Sequence, residues 1–167
     1  MIAFDVPSTF VQLVFVREAW GLEVRPEIPP ADPVPLVGTS TRPDDGALES
    51  LWRGVWTEAA TAPRRPVLGA PRLWTDVYGT TGLDMGALTA WSDRARGAVT
   101  TVLAADRGDA GRRVRRRTES AEAAGLLRVD VLPLDGPYRE QLVPYHLVLG
   151  LATYLDDALW DAALPPA

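Results

Sequence analysis

The sequence predicts an α+β fold: three to four helices packed on a small, mostly antiparallel sheet, with a proline-rich extended arm. Three observations carry this. Apolar residues recur at helical spacing over 45–60, and again over 84–105. Residues 126–134 alternate in the period of a strand, and a second apolar run follows at 142–149. Six Pro stand between 26 and 43, where each fixes φ and removes a donor.

A chain of 167 residues is long enough to bury a core as one domain, here 1–167. Its 47% hydrophobic and 23% charged content is that of a globular protein, not a disordered one. There is no Cys, which excludes disulfides and thiolate metal sites. No basic region leads into an apolar run and a small-residue cleavage site, so no signal peptide is expected. Phe10–Val16, interrupted by Gln12, falls short of the roughly 20 residues that span a bilayer. The expectation is a protein without a membrane partner, cytoplasmic or incorporated into a larger particle or apparatus.

Residues 8–21 leave two readings open. Length, Ser8 or Thr9 at the start and Gly21 at the end favour a helix. Val11, Val14 and Val16 suit a strand. Helix is the expectation. Residues 26–43 are then an extended arm lying across the core. Pro26-x-x-Pro29 and Pro30-x-x-Pro33 also have the spacing of ligands for aromatic grooves, a spacing that any Pro-rich stretch produces by chance.

In the helix at Asp45–Ala60, Leu48, Leu51, Trp52, Val55, Trp56 and Ala59 form one stripe. Asp44 or Asp45 is placed to cap it, and Glu49–Arg53 is a favourable i,i+4 pair. Thr61–Gly82 is loop-rich, with Pro63, Pro66, Gly69 and Pro71, and with a short edge strand over Arg72–Tyr78. Asp84 caps a helix running to about Ala105. Its seam is Leu88, Trp91, Ala95, Ala98, Val102 and Ala105, packing on the Asp45–Ala60 helix. Asp106–Gly111 is a turn.

Residues 107–125 hold an Arg-rich helix closed by Gly125. The strands of 126–150 pair as a hairpin, Leu127, Val129 and Val131 facing one way, Arg128 and Asp130 the other. Pro144 marks an edge or a bulge. Ala152–Leu164 is a last helix with Leu155, Leu159 and Ala163 on one face and Asp156, Asp157 and Asp161 on the other.

No glycine-rich phosphate loop, dinucleotide fingerprint or nucleophile elbow is present, and the five Ser lack G-x-S-x-G surroundings. No cofactor and no metal ligand set follows. The single His, His146, is a weak candidate for a general base oriented by Glu140, Asp156 or Asp157; the plainer reading is a half-buried strand residue. The pairs Asp44-Asp45 and Asp156-Asp157 stand where helices start, which capping explains.

Charge is segregated. Net charge is −5 over 1–62, +4 over 107–129 and −5 over 130–167. The basic segment holds Arg112, Arg113, Arg115, Arg116 and Arg117, the candidate partner-binding residues. Three destinations are open to them: a solvated face, the chain's own acidic ends, or an anionic ligand such as nucleic acid. The functional expectation is a non-enzymatic interaction or assembly protein, binding a protein partner or its own copies through charge-complementary and Trp-rich surfaces. The alternatives are a nucleic-acid-binding accessory protein using the Arg cluster, and a small enzyme built on His146.

Overall fold

Two indoles one helical turn apart must be covered on every side, and the fold is arranged to do so. The computed structural model describes residues 2–62, 71–108 and 111–166. Its elements are β1 (Ala3–Asp5), α1 (Ser8–Trp20), α2 (Leu48–Thr61), α3 (Trp74–Val77), α4 (Met85–Gly108), α5 (Arg112–Ala123), β2 (Arg128–Leu132), β3 (Arg139–Val143), β4 (His146–Gly150), α6 (Leu151–Leu155) and α7 (Asp157–Ala163). The readings for Pro63, Pro66 and Gly69, and for Asp109 in the turn before α5, lie outside the described residues.

The α+β class holds. The described residues carry seven helices rather than three or four, because α3, α6 and α7 are short pieces of one or two turns. The sheet has the order β1-β2-β4-β3 and is mixed, not mostly antiparallel. β1 and β4 each run parallel to β2, and only β3–β4 is antiparallel. The two runs of 126–149 do pair, but in parallel rather than as a hairpin, and the second run is interrupted at Pro144. It has no N–H for a ladder, so the second apolar run breaks there into two strands. The tight hairpin is β3–β4, irregular between Glu140 and Val143, and β4 carries its other edge to β2. β1, three residues long, is too short to show a period.

β2 is one of the two inner strands, and its Val129, Asp130, Val131 and Leu132 are all buried. Arg128 and Asp130 therefore face protein rather than solvent. α2 covers that face: Trp56 reaches Glu140 on β3, and the Ala60 carbonyl meets His146 on β4. The other face carries Phe4, whose ring packs on Tyr154 of α6 and Trp160 of α7.

Five of the six α2 stripe residues are buried, Leu48, Trp52, Val55, Trp56 and Ala59 at most 4% exposed, and Leu51 is half-buried. Each indole buries roughly 150–250 Å², worth about 4–6 kcal/mol before entropy is charged against it. α1 is a helix, closed by Gly21 at φ 59° with its N–H on the Arg17 carbonyl. Its residue before the first turn is Pro7, with no side-chain cap. α1 backs α2: the Trp52 indole donates to Leu13 O (2.7 Å), and Phe10 meets Trp56 edge-on at 4.6 Å.

Other expectations shift by local chemistry. Asp45 does not cap α2 but closes the turn before it, accepting from Ala47 N (2.9 Å). Glu49 pairs with Arg42 rather than Arg53, because Arg53 is drawn to Glu140. Arg72–Tyr78 is not a strand. Asp76 accepts from Leu73 N (3.0 Å), and this turns the chain into α3. Asp84 does cap α4, accepting from Ala87 N (3.0 Å), and these hydrogen bonds with those from Thr39 hold its carboxyl below the ordinary value.

The α4 seam drifts: Leu88, Trp91, Ala95, Val99 and Leu103 are buried, while Ala98 is exposed. The helix follows 3.6 residues per turn, not the heptad's 3.5, and packs mainly on α1 and α5 rather than α2. The last helix is broken at Asp156, whose carboxylate caps α7 at Leu159 N (2.9 Å). Trp160 and Ala163 are buried and Leu155 is exposed.

Residues 22–47 form no helix and no strand, only one antiparallel bridge, Ala31 to Leu134. Arg17 donates to the carbonyls of Ile28 and Pro29 (2.8 Å each), and Glu18 accepts from Ala31 N (3.1 Å). Trp91 donates to Pro33 O (2.6 Å), and Asp84 holds Thr39 N (3.0 Å).

The drift in α4 gives a test. Val99→Ala is expected to cost about 1–3 kcal/mol in urea unfolding, whereas Ala98→Leu changes stability by less than about 0.5 kcal/mol. A larger cost at Ala98 than at Val99 would restore the heptad register.

Candidate functional site

Three places bring chemistry-bearing residues together: the α5–α7 contact, the end of α2 against the sheet, and the surface over residues 22–37.

The α5 helix begins at Arg112, after Gly111 in the left-handed region (φ 56°), so all five candidate arginines lie in its first two turns. The structure divides them. Arg117 is fully buried, its guanidinium carbon 5.2 Å from the Tyr154 ring centroid and 4.8 Å from that of Trp160. Asp157 accepts from it at 2.9 Å. Its Nε and Nη1 are buried without a hydrogen-bond partner and rely on the two ring faces. Burial pushes this guanidinium below its ordinary value and the Asp157 charge pulls it back. Arg116 bridges Asp157 and Asp161 at 2.7 Å each. Two of the five thus meet the chain's own acidic end, while Arg112, Arg113 and Arg115 stay on the exposed side.

His146 is buried at the start of β4. Nδ1 lies 2.8 Å from Ala60 O and Nε2 2.8 Å from Asp130 Oδ2. Asp130 is itself buried and accepts from Arg128 Nε (2.7 Å). The expected carboxylate partners of His146 were Glu140, Asp156 and Asp157. The actual one is Asp130, brought close because β2 and β4 run parallel with Arg128 opposite His146. Among the described residues its ring nitrogens meet a carbonyl and a carboxylate, not a hydroxyl, so the arrangement ties a helix end to the sheet and presents no nucleophile. Beside it, the Tyr145 hydroxyl donates to Thr61 O (3.2 Å).

Glu140, on the edge strand β3, is a second buried carboxylate. It accepts from Arg53, from the Trp56 indole and from the Tyr138 hydroxyl (3.1 Å). Burial first, and then the Glu140 charge, push the Tyr138 phenol well above its ordinary value. With three donors on it, this carboxylate is a fixed anchor rather than a poised base. It lines one surface depression, and its partner Arg53 lines another. One, of about 420 Å³, is lined by Pro26, Glu27, Pro29, Tyr138 and Glu140. The other, of about 630 Å³, is lined by Glu23, Arg25, Glu49, Arg53 and Thr57. Both are open and mixed in charge, unlike the enclosed apolar pockets of small-molecule sites.

Residues 33–37 are unlike the rest of the surface. Val34 is 74% and Leu36 76% exposed, while Pro35 between them is buried. Neighbouring residues fix the stretch on α4. Pro33 O accepts from Trp91, and Gly38, at φ 59°, lies so close to Asp84 and Ala87 that a Cβ there would collide.

All six Trp are buried, so they build no surface, and the expectation of a Trp-rich interaction face is corrected. Asp130 and the Val34–Leu36 ridge were not singled out from the sequence, and Glu140 was considered only as a partner for His146. Alternation placed Asp130 on a polar face, and no local pattern marks Glu140. The x-Pro-Val-Pro-Leu order does signal an extended run with alternate side chains outward. Compared with protein-family models, with curated proteins and with solved structures, the chain matches none.

Removing Asp157 leaves Arg117 buried beside its rings without a counter-charge. Asp157→Asn is expected to cost about 1–3 kcal/mol, moderated by solvent at the carboxylate. Arg117→Met, which removes the buried charge and keeps the packing, costs less than that. Asp161→Asn costs under about 0.5 kcal/mol. Chemical denaturation of the three variants checks the order; Arg117→Met as the worst of them would refute it.

Proposed function

We propose that this chain is a non-enzymatic protein-interaction or assembly protein, and that its docking element is the Pro33–Val37 ridge within the proline-rich 26–43 stretch. The observation behind this is the exposure of Val34 and Leu36, 74% and 76%, on backbone fixed to α4 on either side. Two large apolar side chains in water on a rigid support are costly unless something covers them. The partner does not have to order them, so little conformational entropy is lost on binding. The partner is a protein, a second copy of the chain in the first instance.

The ridge changes the expected salt response. Arg116 and Arg117 are engaged with Asp157 and Asp161, so they are not the natural carriers of a charge-driven assembly. Association through Val34 and Leu36 is apolar and weakly dependent on salt. A second reading rests on Arg112 and Arg115, which are exposed on α5 and suit phosphate.

Size-exclusion chromatography with light scattering, at low and high salt and with absorbance at 260 and 280 nm, separates these readings. The expected result is a multimer free of nucleic acid that persists at high salt. Val34→Asp with Leu36→Asp is expected to convert it to monomer without a change in circular dichroism or Tm, since neither side chain is in the core. A monomer at every concentration overturns self-association. A high 260 nm reading that salt strips away puts the nucleic-acid reading first.

A further inference from the structure

We propose that His146 is a proton-dependent tie between the C-terminal end of α2 and the sheet, closed when the ring and Asp130 share an extra proton and half-open when that proton leaves. The argument is a count of hydrogens. Nδ1 lies 2.8 Å from the Ala60 carbonyl oxygen, which only accepts, so Nδ1 carries a hydrogen. Nε2 lies 2.8 Å from Asp130 Oδ2, and a carboxylate also only accepts. That contact therefore needs a second hydrogen, on Nε2 or on Oδ2. With both bonds made, the pair holds one proton more than a neutral imidazole beside a carboxylate. The Arg128 hydrogen bond to Oδ1 (2.7 Å) fixes the carboxylate in place.

Without the extra proton, one N–H is left for two acceptors. The carboxylate is the stronger acceptor, so the hydrogen goes to Nε2. Nδ1 then turns a lone pair toward Ala60 O, and the end of α2 loses that bond. The groups facing the ring belong to several elements. β2 contributes Asp130 and Arg128. Asp5 on β1 stands opposite Asp130 in register. The β3–β4 turn contributes Tyr145, which holds Thr61 O. α2 contributes the carbonyls of its last turn, the negative end of the helix dipole, with Glu58 nearby, already paired with Arg72. The tie is independent of the proposed interaction function: it acts on α2, on the sheet side, whereas the ridge is seated on α4.

The chain has one His, so its imidazole nitrogens can be read by two-bond ¹H–¹⁵N NMR on the whole protein with no ambiguity of assignment. Across a pH series over which the fold persists, Nδ1 is expected to pass from protonated to lone-pair form. Over the same range, amide exchange in the last turn of α2, corrected for its intrinsic rate, is expected to rise about three- to tenfold, the loss of one hydrogen bond. In Asp130→Asn the pH response vanishes; the wild-type measurement stands alone if that variant does not fold. An Nδ1 that keeps its hydrogen throughout, or a helix end whose exchange ignores the change, overturns the proposal.

Discussion

The structure depends on how α2 is held. Along its length the helix makes bonds to other elements. Trp52 donates to the α1 backbone, and Arg53 and Trp56 go to Glu140 on β3. Its last two carbonyls are taken by His146 and Tyr145. Hydrophobic burial alone would place the helix between α1 and the sheet but would let it slide or rotate, because apolar contact is non-directional. Each indole N–H also has to be satisfied once buried. Meeting that requirement fixes the register of the helix against two neighbours at once. The carboxylate of Glu140 is the necessary counterpart: a buried edge-strand anion that would be intolerable without its three donors.

The same logic governs the charges. The chain is divided into acidic, basic and acidic segments, and the fold brings the basic one to the last acidic one at α5–α7. Arg117 goes further than a surface pair. It is buried between Tyr154 and Trp160, so α5 and α7 are joined by apolar packing and by charge in one side chain. Arg116, half-exposed beside it, adds a bridge that salt would screen. What is left outside on α5 is a shorter basic patch than the sequence suggests.

Much of the fold was legible, and the failures share a cause. Stripes at helical spacing located α2 and α4, length and end residues located α1, and Gly21, Gly125 and Asp84 marked helix boundaries as their chemistry predicts. Wherever a residue's role was set by a partner far along the chain, local pattern misjudged it. Arg53 leaves Glu49 for Glu140, 87 residues away. Asp130 reads as a solvent-facing strand residue and is a buried anchor, because a central strand in a partly parallel sheet is covered on both faces. The Leu142–Leu149 run looked like one strand because alternation cannot show which side of Pro144 pairs with what. Of the candidate site residues, the arginines were found by composition alone. The sequence did not show that two of them close onto α7 or that Val34 and Leu36 stand in water.

These observations move the weight of the functional argument from charge to shape. A protein that assembled through its charged segments would keep them available, yet Arg116 and Arg117 are engaged and Arg117 is out of reach of any partner. A protein that bound through its tryptophans would expose at least one, yet all six are inside. A general base needs a ring nitrogen within reach of a substrate proton. His146 has a backbone carbonyl on one nitrogen and a carboxylate on the other, and neither the depression at Glu140 nor that at Arg53 is lined by it. Among the described residues, Val34 and Leu36 are the most exposed large apolar side chains, on backbone fixed to α4 on either side. Their support also runs through charge: Asp84 binds Thr39 and caps α4, so one carboxylate fixes both the backbone beyond the ridge and the start of the helix on which the ridge is seated. The ridge is therefore part of the folded scaffold, which is what the proposed docking role requires of it.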